Sequence, residues 1–294
     1  EKKTIIKKGI FTSCKKNDKC PAWSFKSNEV THDKIKKNIE YKNAVLNLYD
    51  IPVFYFPKFF HPDPTVERRS GLLRPEQKHS KILGSSIYLP YFHVISDNRD
   101  LTFSPTIFNK DIYMFQNEYR QQNENSSLTA NFAYTHGYKS SIEGSNKNSL
   151  SSLFAKYNST ISLNKFLTGD LDISFERSSN DTYLRVFDKY IKSIRPLSDS
   201  SLESGFDLNL DKDDYNFDTG MKVYESLSGS SSDRYQYVLP YYNFKKDILP
   251  ADLGGMFSFS SSGSNNLKNT NNLISTLSNR LSYKSSNYFS DIGF

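Results

Sequence analysis

Gly169–Arg177 reads "GDLDISFER": Leu171, Ile173 and Phe175 fall on one side of an extended chain, and Asp170, Asp172, Ser174 and Glu176 on the other. Successive side chains of a strand point to opposite faces, so this period of two specifies a half-apolar β-strand and contradicts the 3.6 period of a helix. The pattern returns. In "SLTANFAYTH", Leu128, Ala130, Phe132 and Tyr134 oppose Thr129, Asn131 and Thr135. In "GFDLNLDKD", Phe206, Leu208 and Leu210 oppose Asp207, Asn209 and Asp211, and in "YNFDTGMKV", Tyr215, Phe217 and Val223 oppose Asn216, Asp218 and Lys222.

Composition agrees with an all-β chain. Of 294 residues 36% are hydrophobic and 15% aromatic, with 22 Phe and 20 Tyr against one Trp, and aromatics are enriched in strands. The net charge of +6 is spread among 32 carboxylates and forms no basic tract, which argues against nucleic acid as a partner. No apolar run reaches the ~18 residues of a membrane helix, but alternating barrel strands escape that criterion. Three features favour a transmembrane barrel over a soluble sandwich. The strands run to nine or more residues. Tyr and Phe gather at strand ends, as in "DIYMFQNEYR" and "YQYVLPYYNF". Short turns alternate with Ser/Asn-rich loops such as "EGSNKNS" and "SGSNNLKNTNN". Ten or eleven strands are expected from Ser85 onward. The first fifty residues read as a meander or roll, with strands in "AWSFKSNEVTHD" and "IEYKNAVLNLYD" and a strand-like start, "EKKTIIKKGIF", which suggests that the beginning of this domain is missing.

No catalytic constellation is legible, so the chain is not read as an enzyme, and no cofactor or metal is expected. His32, His61, His79, His93 and His136 lie in separate segments without metal-ligand spacing, and no G-x-S-x-G elbow is present. Cys14 and Cys20 lack further nearby ligands apart from His32, which leaves a disulfide, local or to a partner outside this chain, or two free thiols.

Ile51–Glu76, "IPVFYFPKFFHPDPTVERRSGLLRPE", is apolar, proline-studded and then abruptly basic. Prolines disfavour both a central strand and a helix, so the stretch reads as an extended segment leaving one folded body and entering another. Together with "FTSC", "PAWSFKSNEVTHD" and "GSSIYLPYFHVISDNRDLTFSPTIF", it resembles the LptD (OstA) family of outer-membrane lipopolysaccharide-assembly proteins. The match is continuous from about residue 11 to 121. Beyond residue 125 only the alternation and "YQYVLPYYNF" support it.

That resemblance implies the C-terminal part of a periplasmic jellyroll over residues 1–60, a crossing segment or hinge over 61–84, and the N-terminal strands of a large, incomplete antiparallel barrel over 85–294. It implies transport of lipopolysaccharide through a jellyroll groove and a lateral gate into the outer leaflet of the bacterial outer membrane. The implied partners are a plug lipoprotein of the LptE type and a periplasmic bridge protein of the LptA type. Val45, Leu46, Val53, Phe54 and Phe56 become candidates for the lipid path, and Pro90 and Pro105 match the gate prolines. Each proline removes one ladder donor, worth about 1 kcal/mol net; a bulge that bends the strand is the plainer account. Arg68, Arg69, Ser70 and Gly71 form a basic corner at the hinge, either pairing with lipid phosphates or acidic barrel rims or making a turn in which Gly71 supplies an unusual backbone angle. Cys14 matches the family cysteine that is tied to a distant one, while Cys20 departs from that pattern. The alternative is a small outer-membrane porin, since "NYFSDIGF" at the end resembles a closing barrel strand.

Overall fold

Strands form wherever the period of two holds, and their pairing is antiparallel throughout. The computed structural model describes residues 2–12, 23–139, 148–164, 167–228, 234–248, 255–268 and 271–285. The chain divides into two units between Arg69 and Ser70.

The first unit is a four-stranded meander of β1 (Lys3–Phe11), β2 (Trp23–Asp33), β3 (Asn38–Leu48) and β4 (Ile51–Pro62), in that spatial order. The Asp33 carboxylate closes the β2–β3 turn by accepting from the backbone N–H groups of Ile35 and Lys36. One face carries an aromatic cluster in which Phe25 stacks on Phe59 at 4.9 Å, beside Phe56 and the buried Tyr41. Burial pushes the Tyr41 phenol up to about 12. His61 Nδ1 donates to the Pro62 carbonyl, which leaves Nε2 to accept the Tyr41 hydroxyl at 2.8 Å. Of the proline-rich stretch, Ile51–Pro62 is thus a strand, and the chain passes from the first unit to the second within the remainder. β4 pairs only with β3 among the described residues, and an edge strand tolerates prolines whose missing donor faces away from the ladder.

The second unit is one large sheet. Its strands are β5 (Gly71–Leu72), β6 (Glu76–Ser80), β7 (Gly84–Tyr88), β8 (Tyr91–Ser96), β9 (Arg99–Phe108), β10 (Tyr113–Gln122), β11 (Ser126–His136), β12 (Ser149–Asn164) and β13 (Leu167–Ser178), followed by β14 (Ser201–Lys212), β15 (Tyr215–Ser226), β16 (Tyr235–Ile248), β17 (Gly255–Lys268) and β18 (Asn272–Ser285). From β9 to β18 each strand pairs with its sequence neighbours. β7 and β8 both lie on β9 and act as one interrupted strand, so the described residues from Gly84 onward form eleven strands, within the ten or eleven expected. Among the described residues β18 and the β5–β6 side are not paired with each other, and neither a closed barrel nor a second jellyroll sheet is formed.

The polarity of this sheet is inverted relative to a soluble fold. Phe115 and Phe132 are 41% and 44% exposed, while Gln116 and Asn131 on the opposite face are 5% and 6% exposed. Ile107, Tyr134, Ile173 and Phe175 extend the exposed apolar face. The polar face is covered in part by a segment between β13 and β14 containing α1 (Tyr183–Val186) and a 3-10 turn at Asp188–Tyr190. Tyr183, Leu184, Phe187 and Tyr190 pack there against Met114, Leu150 and Phe154 of the sheet.

Asp63 fixes the chain as it leaves β4. Its Oδ1 accepts from the Thr65 N–H at 2.8 Å and the Thr65 hydroxyl at 2.7 Å, and its Oδ2 pairs with His32 Nε2. The Thr65 backbone N–H chiefly, then the Thr65 hydroxyl and His32, hold the carboxyl below the ordinary carboxylate range. A depressed carboxylate stabilises fully above its unfolded value of about 4 and loses that contribution as pH falls through the folded value. Protection of the Asp63, Thr65 and Val66 amides from hydrogen exchange, taken relative to the intrinsic rate at each pH, should therefore be high at pH 7 and fall in acid. Asp63→Asn should lower that protection at pH 7; a variant that keeps it would show that the carboxylate does not hold this turn.

Candidate functional site

Among the described residues the strand facing β9 is broken between β7 and β8, and two prolines remove ladder donors there. Tyr88 pairs with Thr106 and Tyr91 with Phe103 in one continuous register, which sets Leu89 opposite Pro105 and Pro90 opposite Ser104. Leu89 N–H donates to the Pro105 carbonyl at 3.0 Å. The reciprocal bond is missing because Pro105 has no N–H. On the other side of the same strand, Leu73 N–H donates to the Pro90 carbonyl at 2.8 Å, and its reciprocal is missing for the same reason. Pro105 therefore weakens the seam between β9 and β7–β8, and Pro90 weakens the next one out. Pro90 lies in the break between β7 and β8 rather than inside a strand.

The bulge account separates the two prolines. β9 and β10 pair without a register shift across Pro105. Around Pro90 the outer ladder slips by one residue, because Leu73, Arg74 and Pro75 occupy the span facing Leu89 and Pro90. A third strand proline supplies a contrast. Pro240 in β16 sits at register shifts on both its ladders, the ordinary way a sheet absorbs a missing donor.

The other candidate residues are less closely grouped. Leu46 pairs with Phe54, and Phe56 pairs with the buried Ala44, so these three share the aromatic face of the first unit. Val45 pairs with Tyr55 on the opposite face, and Val53 falls at a register shift. Arg69 lies over the Phe60 ring at 5.4 Å and donates to Asn38 at 3.3 Å, while Arg68 is engaged elsewhere. Ser70 accepts the Val94 N–H at 2.8 Å. Gly71 pairs with Phe92 in a regular strand and does not adopt the left-handed backbone expected of a glycine turn. Cys14 and Cys20 lie outside the described residues, among which no cluster of three or more His, Cys, Asp or Glu side chains could hold a metal.

The covering segment ties the interrupted edge to the rest of the sheet. Gln116 of β10 donates to the Tyr190 carbonyl at 3.0 Å, and the Tyr190 hydroxyl meets Ser86 of β7 at 2.9 Å. Lys78 of β6 donates to the Lys189 carbonyl at 2.7 Å, and Lys192 pairs with Glu76 at 2.8 Å. At the far end Arg234 grips Asp181 through two nitrogens, at 2.6 and 3.0 Å. Strand periodicity gave no hint of this segment. Its own signal was present in Tyr183, Leu184, Phe187, Tyr190, Ile191 and Ile194, which recur at helical spacing.

An antiparallel sheet with an apolar outer face, a polar inner face and one proline-interrupted edge defines the architectural class. Curated proteins are similar to part of the chain. The LPS-assembly protein LptD of Yersinia pestis bv. Antiqua is 38% identical over 117 residues, 40% of this chain and 15% of the relative. That of Sodalis glossinidius is 34% identical over 117 residues, again 40% of this chain and 15% of the relative. LptD of Legionella pneumophila strain Paris is 25% identical over 198 residues, 65% of this chain and 23% of its own length. The chain is thus similar to LptD proteins over part of its length, and the match spans about 15% of the length of the first two relatives. No protein-family model matches it. Among solved structures, Pseudomonas aeruginosa OpdQ superposes with a TM-score of 0.29 at 11% identity, covering 96% of this chain and 77% of its own. OpdK reaches 0.30 at 8% identity, covering 89% and 68%. Both scores are too low to establish a shared fold.

Phe187 is wholly buried and stacks on Tyr183 at 4.9 Å, so it anchors the covering segment. Phe187→Ala should destabilise the detergent-purified protein by about 3–5 kcal/mol in urea unfolding. A loss below about 1 kcal/mol, the size of a typical surface change, would show that the segment is not packed as described.

Proposed function

We propose that the chain takes part in lipopolysaccharide assembly at the bacterial outer membrane. In this reading residues 1–60 are the last strands of a periplasmic jellyroll, 61–84 cross between the units, and 85–294 form the first strands of a larger transmembrane barrel. The observation that carries it is the inverted polarity of the second sheet, with exposed Phe115, Phe132 and Phe175 on one side and buried Gln116, Asn131 and Ser152 on the other. Such a sheet suits a lipid-facing exterior and a polar lumen. The 38% identity to LptD relatives over 117 residues supports lipopolysaccharide as that lipid.

Lipopolysaccharide then enters along the aromatic face of the first unit and leaves where the ladder is short of donors at Pro90 and Pro105. Arg68 and Arg69 stand at the crossing. The partners are a plug lipoprotein of the LptE type and a bridge protein of the LptA type, and Cys14 bonds to a distant cysteine of the full protein.

Photo-crosslinkers in cells test the entry path. Adducts with lipopolysaccharide should form from Leu46, Phe54 and Phe56 on the aromatic face and not from Val45; their absence from all three would remove the groove. The exit is tested by Pro90→Ala with Pro105→Ala. Each restores a donor worth about 1 kcal/mol, so the double variant should fold normally, export lipopolysaccharide more slowly and sensitise cells to antibiotics that the outer membrane excludes. Export at the parental rate from a folded double variant would rule out the gate.

A further inference from the structure

A cavity of about 430 Å³ opens on the polar face at the interrupted edge. Arg74, Arg120 and Lys192 line it together with Glu76 and Glu118, and Gln116, Asn131 and Ser193 supply neutral hydrogen-bonding groups. Two of the cations are engaged. Lys192 holds Glu76 at 2.8 Å, and Arg120 holds Asp100 at 2.8 Å and Glu118 at 3.6 Å. Arg74 has no ion-pair or hydrogen-bond partner among the described residues. It is the middle residue of the three that face Leu89 and Pro90, and an extra residue at such a slip re-aims a side chain.

We infer that this cavity binds the phosphate-bearing headgroup of an amphiphile, with Arg74 as the primary ligand and Lys192 joining it by exchanging the Glu76 carboxylate for a phosphate oxygen. This rests on the lipopolysaccharide reading and deepens it. The chemistry favours an anion. Three cations against two carboxylates leave the lining net positive, and a guanidinium matches phosphate geometry through paired N–H donors. A divalent metal would meet three positive side chains.

The position fits an amphiphile in transit. The cavity is walled by Pro90 and Tyr88, while Leu89 and Tyr91 of the same interrupted strand are exposed on the opposite, apolar face. A headgroup held by Arg74 lies on the polar side of the break, and its acyl chains have apolar surface on the other. Ser193 and Lys192 belong to the covering segment, so the segment that ties down the edge also senses the occupant.

The full-length protein in detergent, titrated with lipopolysaccharide, with the same lipid stripped of its phosphates and with inorganic phosphate, tests the site. Arg74→Gln and Lys192→Gln should each weaken the phosphorylated lipid about tenfold, the loss of one charge-assisted hydrogen bond, and leave the stripped lipid unchanged. Glu76→Gln should tighten it, because Lys192 is released. Arg74→Lys should recover part of the affinity while the heat-modifiable mobility of every variant matches the parent. Parental affinity in both Gln variants overturns the site but leaves the transport reading standing. A parent that binds neither lipid form overturns that reading as well. A parent that binds inorganic phosphate as tightly as the phosphorylated lipid overturns the headgroup assignment.

Discussion

The ladder of backbone hydrogen bonds is the constraint on which the rest of the second unit depends. On the proposed reading the apolar face meets lipid and has no water beside it, so each N–H and C=O must be met by the neighbouring strand. Proline is a particular violation of that rule. It leaves no orphan donor of its own and merely leaves one facing carbonyl short of a partner, the milder deficit because a carbonyl has a second acceptor site and pairs less obligatorily. Pro105 and Pro90 therefore loosen two successive seams without exposing a buried N–H, and at about 1 kcal/mol apiece the sheet still holds.

Such an edge needs a second restraint. β7 meets β9 through only Ser86, Ile87 and Tyr88 before the break, whereas β17 and β18 pair without interruption from Gly255 to Lys268. The covering segment supplies what the ladder lacks. Tyr190 links β7 to β10 in the interior, and its bonds to Ser86 and Gln116 are buried, where hydrogen bonds are least easily replaced by water. The outer contacts differ in kind. Lys192 and Glu76 are both over a third exposed, and an ion pair so placed contributes little to stability. Tyr190 thus sets the position of the edge, while the Lys192–Glu76 pair is easily exchanged.

The strands were legible because period-two alternation is local, and it marked β11, β13, β14 and β15 directly. Leu128 to Thr135 divide between faces as the pattern requires. Which face is covered was legible only through amphipathicity read with strand length, since alternation alone serves a soluble sandwich equally well. The ladder deficit at Pro105 was visible as a proline in a strand. That its seam differs from that of Pro90 was not, because register is set by pairing between segments distant along the chain. The covering segment escaped notice for a related reason. Its aromatics make helical spacing over too short a span to stand out among strands, and they fold inward only because Met114, Leu150 and Phe154 offer an apolar patch on an otherwise polar face. Arg74 looked like one charge in a basic run, and its place in the cavity follows from the one-residue slip opposite Pro90.

Pro240 shows why the edge is unlike the rest of the sheet. There the chain shifts register on both sides, and the pairing resumes on either side of the bulge. A one-residue shift at Pro105 would also remove the deficit. It would, however, exchange the faces of every residue beyond it, turning Phe103 toward the polar side and Ser104 and Thr102 toward the apolar one. Register there is held by the polarity of the two faces, so the deficit stays at the seam, beside a cation-lined cavity on one face and exposed Leu89, Tyr91 and Phe103 on the other. The polarity that suits the sheet to a membrane thus also confines its weakest rung to the place where an amphiphile finds matching surface on both sides.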